Sequence, residues 1–199
     1  RPEEFANTGL INIEKNIDKF MVAAQVLNKP VGVVYESKYH LMVVDICIGK
    51  NGYYTYERII PKIQGIAVAV LAEWSGRFFL LKQYRHALRD WQYAIPRGFA
   101  KDGLSGKDNA VKNVIEKTGC TVSNITYLGT TVADSGLSGT KVAVYHAKCS
   151  EPDFKYGTGN AAQLVSVKPE ELKKMIHDGK VTDGFTMTAL MMYLAKKTN

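Results

Sequence analysis

The sequence predicts an α+β fold, and three features carry that expectation. Runs of strand length, rich in Val, Ile, Phe and Tyr, fill the middle of the chain. Two pairs of these runs are joined by turn signals, Lys50-Asn51-Gly52 and Ser75-Gly76. Segments with apolar residues at steps of three and four lie near both ends, and one more sits between strands.

In chain order, the first element is a helix over residues 9–27, where Ile13, Ile17, Phe20, Met21, Ala24 and Leu27 line one face and Pro30 stops it. GVVYESKYHLMVVDICI and YYTYERIIP then form a hairpin around Asn51-Gly52. Residues 1–62 are therefore expected to be an extension of one helix and one hairpin, and 63–199 the main domain. IAVAVLAEW and RFFLLKQYR make a second hairpin about Ser75-Gly76, and their near-continuous apolar character places them centrally. A short strand from Trp91 to Pro96 leads into Gly98. Lys107–Thr118 reads as a helix with Gly119 as its stop. Strands follow at ITYLGTTVA, KVAVYHAKC and AQLVSV, and two helices, PEELKKMIHDG and FTMTALMMYLAKK, close the chain. The Met and Leu stripe of the last helix is expected to be core. The run from Gly157 to Ala162 fits GxGxxA, but a dinucleotide fingerprint must open a helix and a strand follows, so that motif is set aside.

Composition narrows the function classes. With 46% apolar and 23% charged residues, global disorder is excluded. The net charge of +7 favours anionic partners, yet the basic residues are dispersed, so nucleic acid is possible but not favoured as a partner. Cys47, Cys120 and Cys149 have no CxxC spacing and are expected as free, buried thiols. No run approaches the ~20 apolar residues of a membrane span, RPEEFANTGL lacks the pattern of a signal peptide, and the cytoplasm is the expected compartment. Four histidines without HxH or HExxH spacing give zinc chemistry no support.

The informative stretch is GFAKDGLSGKDNAVKNVIEKTGC, Gly98 to Cys120. Its spacing resembles the signature of the Nudix hydrolase superfamily: Gly, five residues, Glu, seven residues, Arg-Glu, an aliphatic, any residue, Glu-Glu, any residue, Gly, an aliphatic. Gly98, Val114, Glu116 and Gly119 match, whereas Leu104, Asn113 and Lys117 stand at three acidic positions and Lys112 at the Arg. FFLLKQYRHAL and YAIPRG resemble the segments before that box in ADP-ribose pyrophosphatase-like members. TYLGTTVADSGLSGTKVAVYHA and DGKVTDGFTMTALMMYLA resemble their later segments. The resemblance spans about Gly65 to Ala195 and implies an α/β/α sandwich with a mixed sheet, behind an extension that contributes to a homodimer and to the ligand pocket.

Residues 112, 113, 116 and 117 are expected to share one helix face. In the family that face holds Mg²⁺ through carboxylates. Here the replacements shift the formal charge by about four positive units, and each unit-charge pair at ~4 Å counts about 4 kcal/mol at an effective dielectric near 20. Magnesium is accordingly a doubtful cofactor, with Glu116 the remaining candidate ligand and catalytic residue. Asp134, in the ADSGLSGTK loop, is the second candidate catalytic acid; the plain alternative is a turn residue. Asp102 and Asp108 are further acids that a rescued active site would recruit. Arg85, Arg97, Gly98, Lys112 and Lys117 are the candidate ligand-binding residues, since ammonium and guanidinium groups neutralise a diphosphate without metal. The plain alternative for Lys112 and Glu116 is an ordinary i,i+4 pair on a solvated face. Tyr53, Tyr54, Tyr56 and Trp91 are expected in the core, with stacking on a base as the alternative.

Three functions follow from this reading. The favoured one is a binder of a nucleoside diphosphate derivative such as ADP-ribose, with weak or no hydrolysis. The others are an atypical hydrolase of such diphosphates or of RNA 5′ ends, and a non-catalytic interaction subunit.

Overall fold

The computed structural model describes residues 30–49, 52–63, 65–153 and 162–197, together with Gln25 and Asn28. Most of the helix expected over residues 9–27, the Lys50-Asn51 part of the first turn and the loop at 154–161 lie outside the described residues. The chain forms two compact units, Arg1–Lys62 with Asp134–Thr140, and Ile63–Ala133 with Lys141–Asn199.

In the first unit, β1 (Gly32–Glu36), β2 (His40–Gly49) and β3 (Gly52–Pro61) form an antiparallel sheet in that order. The segment expected as a single strand is broken after Glu36. Ser37 Oγ accepts from the amides of Tyr39 (3.2 Å) and His40 (2.9 Å), and the Ser37 amide donates to the His40 carbonyl (2.9 Å). A serine hydroxyl that satisfies two backbone donors offers the chain an alternative to the ladder, so it reverses and gains a third strand. Asp45 is buried on β2 and pairs with Arg58 of β3 at 2.5 Å. Tyr53, Tyr54 and Tyr56 are exposed, contrary to the core expectation, and Tyr56 spends its hydroxyl on the Gly136 carbonyl.

The second unit is a mixed seven-stranded sheet. Its strands are β4 (Ala67–Trp74), β5 (Arg77–Arg85), β6 (Asp90–Ala94), β7 (Arg97–Gly98), β8 (Val122–Val132), β9 (Lys141–Cys149) and β10 (Ala162–Val167). The order is β10-β5-β4-β9-β8, with β6 on β5 and β7 on β4. β4 and β9 run parallel and the other pairs antiparallel. The β4–β5 turn has Ser75 at φ 49° and Gly76 at φ 73°, two successive left-handed residues as a tight hairpin turn requires.

Three helices complete this unit among the described residues: α1 (Gly106–Thr118), α2 (Pro169–His177) and α3 (Gly184–Lys197). Val68, Val70, Phe79 and Leu81 pack with Ala110 and Val114 of α1. Ala69, Leu71, Phe78 and Leu80 pack with Leu172 of α2 and with Ala189, Leu190 and Tyr193 of α3. Both faces of β4 and β5 are thus covered, which is why these strands read as unbroken apolar runs and not as alternation. The result is an α/β/α sandwich with a mixed sheet. The methionine stripe of α3 is only partly core: Leu190 is buried, but Met187 and Met191 lie outward and exposed.

Polar side chains from α1 hold the turn that follows β7. Ser105 caps the helix, accepting from the Asp108 amide (3.1 Å), and Gly119 ends it at φ 68°. Asn109, buried, donates through Nδ2 to the carbonyls of Ile66 (3.1 Å) and Phe99 (3.0 Å). Asn113 donates in turn to the Asn109 carbonyl and to Asn109 Oδ1, both at 2.9 Å. A Cβ at position 98 would lie 2.1 Å from Asn113 Oδ1, so this crossing admits only glycine while Asn113 keeps its bonds. Gly98→Ala is expected to lower stability by about 1–3 kcal/mol through overpacking, read as a fall of about 2–4 °C in Tm per kcal/mol. Asn113→Ala in the same chain is expected to recover most of that loss, and a strictly additive double-mutant cycle would refute the contact.

Candidate functional site

A cleft of about 400 Å³ opens in the second unit beside the N-terminus of α3. Arg85 from the end of β5, Gln92 from β6, Arg97 from β7, and Asp183 and Phe185 at the start of α3 line it. Asp183 organises this region. Its Oδ2 accepts from the Thr186 amide (3.0 Å) and hydroxyl (2.7 Å), capping the helix, while its Oδ1 takes Arg97 at 3.1 Å. Thr186 Oγ1 also receives the Ile95 amide at 3.0 Å, tying the helix start to the strand that leads into the Gly98 turn. With Asp183 only 3% exposed, this is a buried carboxylate with every oxygen engaged, which orients Arg97 over the ring of Phe185 at 5.2 Å.

Arg85 is different. Its Nε is the buried side-chain polar atom that lacks a hydrogen-bond partner among the described residues. Burial and then the Arg97 charge lower its pKa, and Asp183 opposes them weakly. A buried donor left unmade costs about 1–3 kcal/mol.

The box residues divide between two environments, although they were expected on one face. Asn113 points inward and is spent on Asn109; Lys112 and Glu116 lie on the exposed side, 3.9 Å apart. Lys117 is half-buried. Desolvation lowers its pKa below the ordinary lysine value, Glu116 raises it, and Arg85, Lys101 and Arg97 lower it again, so these four cations share one electrostatic neighbourhood. The reason is angular: with 100° per residue, 113 and 117 turn toward the buried side while 112 and 116 turn toward solvent.

Asp134 belongs to the first unit, where its Oδ1 accepts from the Gly136 amide (2.9 Å) and its carbonyl from Ser138 (2.9 Å), the bonding of a turn residue. Asp108 accepts from the Ser105 hydroxyl at 2.6 Å. Trp91 is exposed, not core, and meets Tyr84 edge-on at 5.9 Å. Asp183, Phe185 and Lys101 escaped the sequence reading. Asp183-Gly-Phe-Thr186 has the spacing of a helix cap, which was the available signal.

The magnesium that the resemblance implies does not fit these residues. Among the described residues no group of three or more His, Cys, Asp or Glu side chains is placed to hold a metal ion, and Glu116 is contacted by Lys101 at 3.2 and 3.0 Å. A hard divalent cation needs several oxygen ligands and is repelled by ammonium groups.

No protein-family model and no curated protein sequence matches the chain. Among solved structures it is similar to the crystal structure of an ADP compounds hydrolase, with a TM-score of 0.73 at 16% identity, over 83% of this chain and 90% of that one. The fold is Nudix-type. At this identity the likeness establishes the fold alone.

Asp183→Ala would remove a helix cap and leave Arg97 unpaired, an expected loss of about 2–4 kcal/mol. Asp183→Asn, which keeps one acceptor oxygen, is expected to lose about half as much on the same mechanism. Equal, near-zero losses in chemical denaturation would show that Asp183 organises nothing.

Proposed function

We propose that this protein binds a nucleoside diphosphate derivative such as ADP-ribose, through its cationic side chains and with weak or no hydrolysis. The single observation that carries the proposal is the unpartnered, buried Nε of Arg85, a lining residue of a cleft that Arg97 also lines, with Lys117 outside the lining but within electrostatic reach of both. A diphosphate supplies the acceptor oxygens that Arg85 lacks and the negative charge that relieves Arg85–Arg97–Lys117 repulsion. The likeness to an ADP compounds hydrolase supports the ligand class. The erosion of the acidic box supports binding over turnover, because the carboxylates that would gather a metal and activate water are Leu104, Asn113 and Lys117 here.

ADP-ribose is expected to raise Tm in the presence of EDTA. A concentration of ~100 Kd contributes about 2.7 kcal/mol, which Arg85→Ala should largely abolish. The affinity should also fall as pH rises through the lowered pKa of Lys117: the anion prefers the protonated form, so binding is strongest below that pKa and weakens above it. No rise in Tm with any nucleoside diphosphate would remove the proposal. Release of AMP from ADP-ribose in Mg²⁺, lost in Glu116→Gln, would replace it with an active hydrolase.

A further inference from the structure

We propose that the ammonium group of Lys101 is the resident cation of the box helix, standing where the Nudix signature gathers a divalent metal. The inference deepens the binding function proposed above by naming what neutralises the retained acid. Its main test needs no nucleotide.

Lys101 lies three residues beyond Gly98, in the loop that the Asn109 bond to Phe99 holds against α1. Its Nζ donates to both oxygens of Glu116, at 3.2 and 3.0 Å, so the whole carboxylate is engaged by one cation. Lys112 stands 3.9 Å from the same carboxylate, and Lys117 is the next residue along the helix. The one acid retained from the signature thus faces two lysines, with a third within electrostatic reach.

Taken alone, the Lys101–Glu116 pair would not keep a metal out. Both side chains are well exposed, 36% and 46%, and an exposed pair is weak and exchangeable. A cluster of carboxylates would trade the ammonium for a divalent ion. That trade has no driving force here, because Asn113 has turned its carboxamide inward to Asn109 and Lys117 has replaced the adjacent acid. An ammonium has three hydrogens and Glu116 takes two, which leaves one donor for an anionic oxygen of a ligand. Lys101 also acts on Lys117 together with Arg85 and Arg97, and the two arginines line the cleft.

Direct titration of Mn²⁺ alone, followed by the loss of its free EPR signal, tests the assignment on wild type, Glu116→Gln and Lys101→Glu. Wild type and Glu116→Gln are expected to bind Mn²⁺ equally weakly. Lys101→Glu places a second carboxylate against Glu116 and is expected to bind at least about tenfold more tightly than wild type. Wild type binding about tenfold more tightly than Glu116→Gln would overturn the proposal, since Glu116 would then be a metal ligand with Lys101 in place. Lys101→Glu binding no better than wild type, with its circular dichroism unchanged, would also count against it. A parallel arm measures the ADP-ribose shift of Lys101→Met in EDTA, expected at half or less of the wild-type shift. A missing shift in wild type itself would refute the nucleotide ligand and leave the Mn²⁺ comparison decisive for Lys101.

Discussion

The seam of two asparagines under Gly98 is the constraint on which the rest of the site depends. Asn109 bonds the carbonyls of Ile66 and Phe99, and Asn113 bonds Asn109, so the start of the central strand, the turn after β7 and the helix α1 are tied by buried amide groups. Buried polar groups of this kind are costly unless satisfied, and these connect three elements by being satisfied. Glycine at 98 lets the turn approach closely enough for the bonds to form. On either side of that seam Arg97 pairs with Asp183 and Lys101 with Glu116.

The helix α1 packs on the sheet through apolar side chains. Ala110 and Val114 face the sheet and Asn113 is buried beside them, whereas Lys112 and Glu116 lie on the exposed side and Lys117 is half-buried. An asparagine at 113 satisfies the seam without carrying a charge into a buried place, where an ionised carboxylate would need compensation. A neutral amide at 113 therefore suits a helix packed tightly against its turn.

The cleft beside α3 is arranged by a single buried carboxylate. Asp183 has its oxygens taken by Thr186 and Arg97, so it sets direction and leaves no acceptor over. Arg97 is thereby committed within the protein, whereas the buried Nε of Arg85 has no hydrogen-bond partner among the described residues.

Much of this architecture could be read directly from residues. The apolar runs at 67–74 and 77–85, the Ser75-Gly76 turn and the helix ending at Gly119 follow from local sterics and from the need to cover both faces of a central sheet. The presence of Leu104, Lys112, Asn113 and Lys117 along this stretch is likewise a fact of sequence. What the sequence left open depends on contacts between distant residues. The break at Ser37 rests on a hydroxyl bonding two amides, and the outward tyrosines of β3 on which face its sheet covers. The roles of Asp183 and Lys101 arise because folding brings Arg97 to one and Glu116 to the other, across 86 and 15 positions. Periodicity and propensity act over a few residues, whereas a buried ion pair or an unpartnered guanidinium is defined only once the chain has closed around it.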